Sequence, residues 1–385
     1  MSSSVPEGWL KGQLSSIATL EYGKSPNHVR QEEGQYPIVG TSGIVGTANQ
    51  YLWDEKSVVI GRKGTINKPI YIETPFWAID TTYFCKFAED TDPKWFYYKV
   101  CEEQLEKHNE ASGVPSLSRD TLRGLQFEIP PLPEQKKIAS ILTSVDEVIE
   151  NTQKQIDKLQ DLKKATMNEL LTKGIGHTEF KDSELGRIPK SWEVFQLGKS
   201  VKNPICYGIV QVGDYDPNGV KVIAIKYLGK INESNLHLSN KTIEEKYKRS
   251  RVNGGDLLIS IKGTIGRVDI VPDGFVGNIS RDVARISLSS NYIPDVIQAY
   301  LESSVGKTNI AQTTVGTTRA ELSIGRLIEL KIPKIPLEEQ LIIKQIYRSF
   351  NIEIATKFKK LTQIQSLKKS LMQDLLTGKV RVTVN

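Results

Sequence analysis

The chain has 385 residues, long enough for two domains, and 38% hydrophobic and 25% charged residues suit a soluble globular protein. Its net charge of +6 admits an anionic partner without requiring one, and Cys85, Cys101 and Cys206 form no CxxC pair, so neither a zinc site nor a disulfide framework is supported. No apolar run approaches the roughly 18 residues of a membrane span and MSSSVPEGWLKG lacks an apolar signal core, so a cytoplasmic protein with no membrane partner is expected.

In chain order, PEGWLKGQL (Pro6–Leu14) opens a first globular region, 1–133. SVVIGRKGTI is β-rich with glycine at a turn, and DPKWFYYKVCEEQLEKHNE (Asp92–Glu110) predicts a short helix. IPPLPEQ (Ile129–Gln135) leads into a long helix over 134–174, and a linker over 175–189 follows. PKSWEVFQL (Pro189–Leu197) opens a second globular region, 190–336, with GDLLISIKGTIGRVDIV as its β-rich stretch and IPDVIQAYLESS (Ile293–Ser304) as its short helix. IPKIPLEEQ (Ile332–Gln340) leads into a second long helix, 337–378, and 379–385 is a tail. The globular regions therefore read as mixed α/β (α+β).

The same phrases occur twice, in the same order: PxxW with a leucine five residues on, KGTI at Lys63–Ile66 and Lys262–Ile265, the Pro-rich EQ segment, and LKKATMNELLTKG (Leu162–Gly174) against LKKSLMQDLLTGK (Leu367–Lys379). Their separation grows along the chain, so the second copy carries insertions. Two copies make a duplicated architecture, not a solenoid. Trp9 and Trp192 read as core anchors, because Leu14 and Leu197 follow each at the same distance.

The long helices carry apolar residues in a 3–4 alternation: Ile138, Leu142, Val145, Ile149, Ile156, Leu159 and Leu170 in the first, Ile343, Tyr347, Phe350, Ile354, Leu361, Ile364, Leu371 and Leu375 in the second. Thr152, Lys163 and Thr166 are the weak positions of the first series, and Lys357 and Lys368 interrupt the second. This is the seam of a two-stranded coiled coil, and the shared register favours mutual packing over two helices on separate cores. Pro133 and Pro336 stand where a helix start tolerates proline, and Gly174 and Gly378 where helices end. Lys136, Lys137, Lys154, Lys158 and Glu150 fall on the exposed flank and read as a solvated face.

No catalytic motif is present. His28, His108, His177 and His237 sit in no GxSxG or HExxH pattern. NPICY and DPKWF lack the second proline of an amino-methyltransferase loop, no PD…ExK pattern forms, and VGTSGIVG is followed by no GK(S/T). Binding is the stronger reading. Loops mixing glycine with Lys, Arg, Asn, Gln, Ser or Thr recur in both halves, and those side chains neutralise phosphate or pair with base edges while glycine permits close approach. The candidate DNA-binding residues are Lys24, Arg30, Thr41, Ser42, Arg62, Lys63, Thr65, Asn67, Lys68, Ser112, Ser116 and Arg119 in the first half. In the second they are Tyr207, Gln211, Lys262, Thr264, Arg267, Asn278, Ser280, Arg281, Thr317, Thr318 and Arg319.

The order PxxW…L, a variable region with a KGTI turn, P…xEQ, then a long helix ending LKK..M..LLT resembles the specificity subunit of Type I restriction-modification systems, twice over and along nearly the whole chain. The resemblance implies two target recognition domains separated by a long antiparallel two-helix coiled coil, with a pseudo-two-fold internal repeat. It implies double-stranded DNA as ligand, each domain reading half of an asymmetric split sequence. It also implies two adenine-methyltransferase (modification) subunits and, in the larger complex, restriction-translocation subunits as partners. No catalytic residue, metal or cofactor is then expected on this chain; AdoMet, ATP and Mg are expected on the partners. From Glu134 to Leu171 a helix would run about 57 Å at about 1.5 Å per residue, enough to set two readers about one DNA turn (roughly 34–36 Å) apart. The rival readings are a divergent nuclease or methyltransferase, a coiled-coil adaptor that binds only proteins, and the recognition subunit of a related system with another nuclease partner.

Overall fold

The computed structural model describes residues 5–233, 235–314 and 321–384. They fall into two compact units, Met1–Lys154 with Lys359–Asn385, and Gln155–Phe358.

The first unit begins with β1 (Leu10–Gln13), α1 (Leu14–Ile17) and β2 (Ala18–Tyr22), followed by β3 (Tyr36–Gly40), β4 (Gly43–Ala48), β5 (Ser57–Gly61), β6 (Ile70–Ile72), β7 (Trp77–Ala78) and β8 (Thr82–Phe87). Helices α2 (Pro93–Glu102) and α3 (Arg119–Arg123) precede β9 (Gln126–Ile129). One sheet has the order β2-β8-β5-β6 and a second β4-β3-β7, while β1 pairs with β9. The run SVVIG forms β5 because every one of its residues is buried and β-branched residues pack well on a pleated surface. α2 starts where Asp92 accepts from the Trp95 backbone N–H at 2.8 Å and proline takes the first turn. Its Trp95, Phe96, Tyr98 and Val100 pack against Val58, Ile60, Tyr83 and Cys85 of the sheet.

Next comes α4 (Leu132–Lys173), 42 residues without a break. The second unit then has β10 (Phe180–Ser183), β11 (Gly186–Pro189), β12 (Glu193–Gln196), β13 (Val201–Tyr207), β14 (Val220–Ile223), β15 (His237–Ser239), α5 (Lys241–Glu245), β16 (Leu257–Ser260), β17 (Val268–Ile270), β18 (Asn278–Ile279) and β19 (Val283–Leu288). α6 (Pro294–Glu302), α7 (Ser304–Thr313), α8 (Ile324–Glu329), β20 (Lys331–Lys334) and α9 (Leu337–Leu376) complete it. Its sheets have the orders β13-β19-β16-β17 and β15-β14-β18, with β12 on β20, which repeats the first unit strand for strand. The segment 175–189, expected as a linker, instead folds as the β10–β11 hairpin, and Ile188 lies in the second core. Its strands, FKDS and GRIP, are four residues each, too short to show an alternation in the sequence.

Both long helices contribute to both units. In the first, Ile138, Ala139 and Leu142 of α4 share a core with Leu375 and Leu376 of α9, and Leu371 and Met372 pack against it. In the second, Met167 and Leu171 of α4 share a core with Ile343 and Tyr347 of α9. The two segments run antiparallel in each unit. In the first, Glu134 meets Arg381 and Asp146 meets Lys368; in the second, Gln155 meets Lys357 and Lys163 meets Asn351. Along the seam Ile138, Leu142, Ile156, Ile343, Tyr347 and Leu361 are buried, and Val145, Ile149, Leu159, Phe350, Ile354 and Ile364 half-buried. The matching methionines of the repeated phrase thus serve opposite units, Met167 the second and Met372 the first.

The repeated PxxW and EQ phrases meet at the base of each unit. Pro6 and Trp9 close a turn through the Trp9 N–H and Pro6 carbonyl at 3.0 Å, and Pro189 and Trp192 do the same at 3.0 Å. Gln135 accepts from the Asp92 N–H at 2.8 Å and donates to the carbonyls of Pro130 and Asp90. Gln340 accepts from the Ile293 N–H at 2.8 Å and donates to the carbonyls of Ile335 and Asn291. One glutamine therefore ties the short helix, the preceding strand and the long helix together in each copy.

Candidate nucleic-acid interface

In the first unit several loops converge at one end of the sheet. Arg62, just past β5, donates its N–H to the Thr81 carbonyl at 2.8 Å and accepts from the Leu117 N–H at 2.9 Å. Lys63 pairs with Ser116 as an isolated bridge, and the Gly64 N–H reaches the Pro115 carbonyl. A Cβ at Gly64 would stand 3.6 Å from Thr41 Oγ1, so the turn between β3 and β4 lies alongside. Lys24 follows β2 with its N–H on the Ala78 carbonyl. The fold thus gathers Lys24, Thr41, Arg62, Lys63, Ser116 and Arg119, with Ser42, Asn67, Lys68 and Ser112 exposed and Thr65 half-buried. Arg30 is exposed, but its guanidinium donates to the Val45 carbonyl at 3.1 Å and braces the β3–β4 hairpin.

Sequence reasoning missed Tyr22 here. It ends β2 opposite Tyr83, their ring centroids 5.1 Å apart. The Arg62 Cζ lies 5.4 Å and the Arg119 Cζ 4.9 Å from the Tyr22 ring centroid. Asp120, beside Arg119, is turned to Arg123 instead. Both Nε atoms are buried and find no hydrogen-bond partner among the described residues. Burial pushes the Tyr83 hydroxyl up to about 12, so it stays neutral.

The second unit repeats the arrangement with other side chains. Ile261 occupies the place of Arg62, giving its N–H to the Asp282 carbonyl and accepting from the Leu322 N–H. Lys262 bridges Glu321 and its ammonium pairs with that carboxylate at 3.1 Å. Arg267 is exposed and donates to the Leu228 carbonyl at 2.7 Å; Arg281 is exposed beside Asp282 at 3.5 Å. Tyr207, Gln211 and Thr264 are exposed.

Asn278 and Ser280 are corrections. Asn278 begins β18 as Trp77 begins β7, each strand lying parallel to its neighbour, and it is wholly buried. Its amide donates to Glu244 at 2.9 Å and to the Tyr247 carbonyl, and accepts from Ser250. Ser280 is 9% exposed. The polar GNIS segment read as a loop contains the core strand β18, whose asparagine is satisfied internally; Ser280 follows it, its Oγ buried and without a partner among the described residues. Thr317, Thr318 and Arg319 lie outside the described residues.

Arg249 was also missed. It lies between α5 and β16, its Cζ 5.8 Å from the Tyr207 ring centroid. Burial raises the Cys206 thiol above its usual value, and the protonated thiol donates to the Arg249 carbonyl at 3.4 Å. Nearby, the Arg251 guanidinium holds Glu244 below the usual carboxylate range. A repeated Tyr-Gly step, Tyr22-Gly23 and Tyr207-Gly208, marked both sites in the sequence.

Among the described residues no cluster of three or more His, Cys, Asp or Glu could hold a metal ion, and no helix is long and apolar enough to cross a membrane. What the surface offers is paired cations, hydroxyls and an aromatic face at the same end of each of two like-built units.

The chain is 28% identical to the MjaVIII specificity subunit of a type I restriction enzyme from Methanocaldococcus jannaschii, covering 98% of this chain and 94% of that protein. It is 34% identical to a putative type I restriction enzyme MjaX specificity subunit from the same organism, over 69% of this chain and 62% of that one. The fold matches the type I restriction-modification S subunit of M. genitalium with a TM-score of 0.64 at 14% identity, covering 100% of this chain and 99% of that one. The description of the type I restriction modification DNA specificity domain matches residues 6–161 and again 189–366, so the chain belongs to that family.

Proposed function

We propose that this chain is the DNA sequence-specificity subunit of a type I restriction-modification complex. Each unit reads one half of an asymmetric bipartite target, and the two long helices set the gap. The observation that carries the reading is one topology built twice, with loops gathered at the same strand ends but lined by different side chains, as where Ser116 beside Lys63 is matched by Glu321 beside Lys262. Like frames with unlike linings suit two readers of unlike half-sites.

Two adenine-methylating modification subunits dock on the helices and adjoining faces, and restriction-translocation subunits join in the larger complex. AdoMet, ATP and Mg belong to those chains; this one supplies position and selectivity.

The test is to replace residues 1–133 with those of another such subunit and sequence the methylated adenines in the host genome. One half of the modified sequence changes and the other stays. Lengthening both helices by equal helical segments changes only the gap. If both halves change on the swap, or neither does, the division of labour is wrong.

A further inference from the structure

Tyr22 and Tyr207 hold the same place in two units whose surrounding loops have diverged. Each ends the strand that pairs with the central long strand, β8 or β19. Each is followed by glycine at a point where the backbone passes so close that an added Cβ would lie 2.0 Å from the Ile79 carbonyl oxygen, or 1.8 Å from that of Ile279. Each ring keeps an exposed edge, Tyr22 at 43% and Tyr207 at 37%.

The arginines over these rings come from different elements. In the first unit they are Arg62, beyond β5, and Arg119, the first residue of α3 after its Ser118 cap. The second unit has neither, with buried Ile261 at the first place and Ile324, after the Ser323 cap, at the second. Its guanidinium comes from the α5–β16 segment, where the Arg249 carbonyl accepts from Cys206 of β13. Both units place a guanidinium over the tyrosine, from different elements. What two unlike readers share must be independent of base sequence, and phosphate contacts have that property.

The charge arrangement agrees. Arg62 and Arg119 flank one ring as two like charges, and neither is ion-paired with a described residue. Glu245, four residues before Arg249, is engaged with Lys248 and Arg251. Arg62 and Arg119 are half-buried, their Cζ atoms 5.4 and 4.9 Å from the ring centroid, and a planar guanidinium held in one place is pre-organised for phosphate oxygens.

We propose that Tyr22 with Arg62 and Arg119, and Tyr207 with Arg249, are equivalent phosphate clamps that hold each half of the DNA target in register without reading its bases. The proposal rests on the DNA-reading function above.

The test uses the full chain assembled with its modification subunits, a cognate and a non-cognate duplex, and binding titrations from 50 to 200 mM salt. R249A is expected to weaken binding to both duplexes alike, by roughly three- to tenfold, and to lower the slope of log K against log salt by about one. R62A/R119A is expected to lower it by about two, and R249K to keep the wild-type slope. The methylated sequence stays the same in every variant. A change in one half of that sequence would make the arginines base readers and overturn the inference while leaving the function intact. Variants with wild-type melting temperature, slope and affinity would reduce the pairs to packing and overturn it too. A wild-type complex without salt-dependent DNA affinity would instead overturn the functional reading.

Discussion

The indole N–H of Trp192 is donated to the Glu339 carboxylate at 3.0 Å, and the same bond joins Trp9 to Glu134 at 2.9 Å. Each carboxylate also receives the chain emerging from the other long helix. After α4, the Ile175 N–H donates to Glu339 at 2.6 Å and His177 lies 3.2 Å away; after α9, Arg381 grips Glu134 with two bonds of 2.8 Å. The glutamate of the EQ phrase is the joint at which turn, helix start and helix exit meet.

Glu339→Ala should therefore destabilise the second unit by about 2–4 kcal/mol, because a buried indole N–H and a backbone N–H lose their acceptor together. Urea unfolding of the purified chain would show it as a lower midpoint, with Glu339→Gln falling between mutant and wild type. A shift below about 0.5 kcal/mol would mean the joint is held by packing alone.

The matching joint of the first unit should respond to acid. Burial by itself would raise the Glu134 carboxyl, but the Arg381 guanidinium and the Trp9 indole outweigh it and hold the group below the usual carboxylate range. A depressed folded-state value means that its stabilisation is present above the unfolded value, about 4.3, and drains away as pH falls through the folded one. The stability gap between wild type and Glu134→Gln should shrink from pH 7 towards pH 3. A gap that stays constant with pH would contradict this account.

On α4 the seam and its outer face should separate cleanly. Leu142 is fully buried in the first core, so Leu142→Ala is expected to cost about 2–4 kcal/mol. Leu162, on the same helix, is 55% exposed, and Leu162→Ala should stay within about 0.5 kcal/mol. Equal losses at both sites would refute the seam.

Lys368, which breaks the heptad pattern, has a partner. Its ammonium lies 2.6 Å from Asp146, which also accepts from the Tyr98 hydroxyl at 2.8 Å. A double-mutant cycle of Lys368→Met and Asp146→Asn should give a coupling of about 0.5–1.5 kcal/mol, reduced by salt because both groups are partly exposed. Zero coupling at low salt would make the lysine a tolerated flaw in the seam.

The duplication, the two long helices and their seam were legible in the sequence, since helical periodicity is a local property and each copy repeats it in register. Pairing by Trp9–Glu134, Trp192–Glu339, Gln135 and Gln340 was not, although every one of those residues stood in a repeated phrase. Their partners lie far off along the chain, and a repeat says that a residue matters without saying what it touches. Asn278 shows the opposite failure. A polar, glycine-flanked stretch looks like a loop, yet β18 runs through the core and the neighbours Glu244, Tyr247 and Ser250 make its burial tolerable.

Sequence alone determined that there are two like halves joined by paired helices, because hydrophobic period and repetition survive in one dimension. Tertiary structure alone decided which polar side chains are spent inside and which cations stand over a tyrosine at the strand ends. Arg62, Arg119 and Arg249 reach equivalent tyrosines from unrelated places in the chain, and only folding brings such residues within a few ångströms of one another.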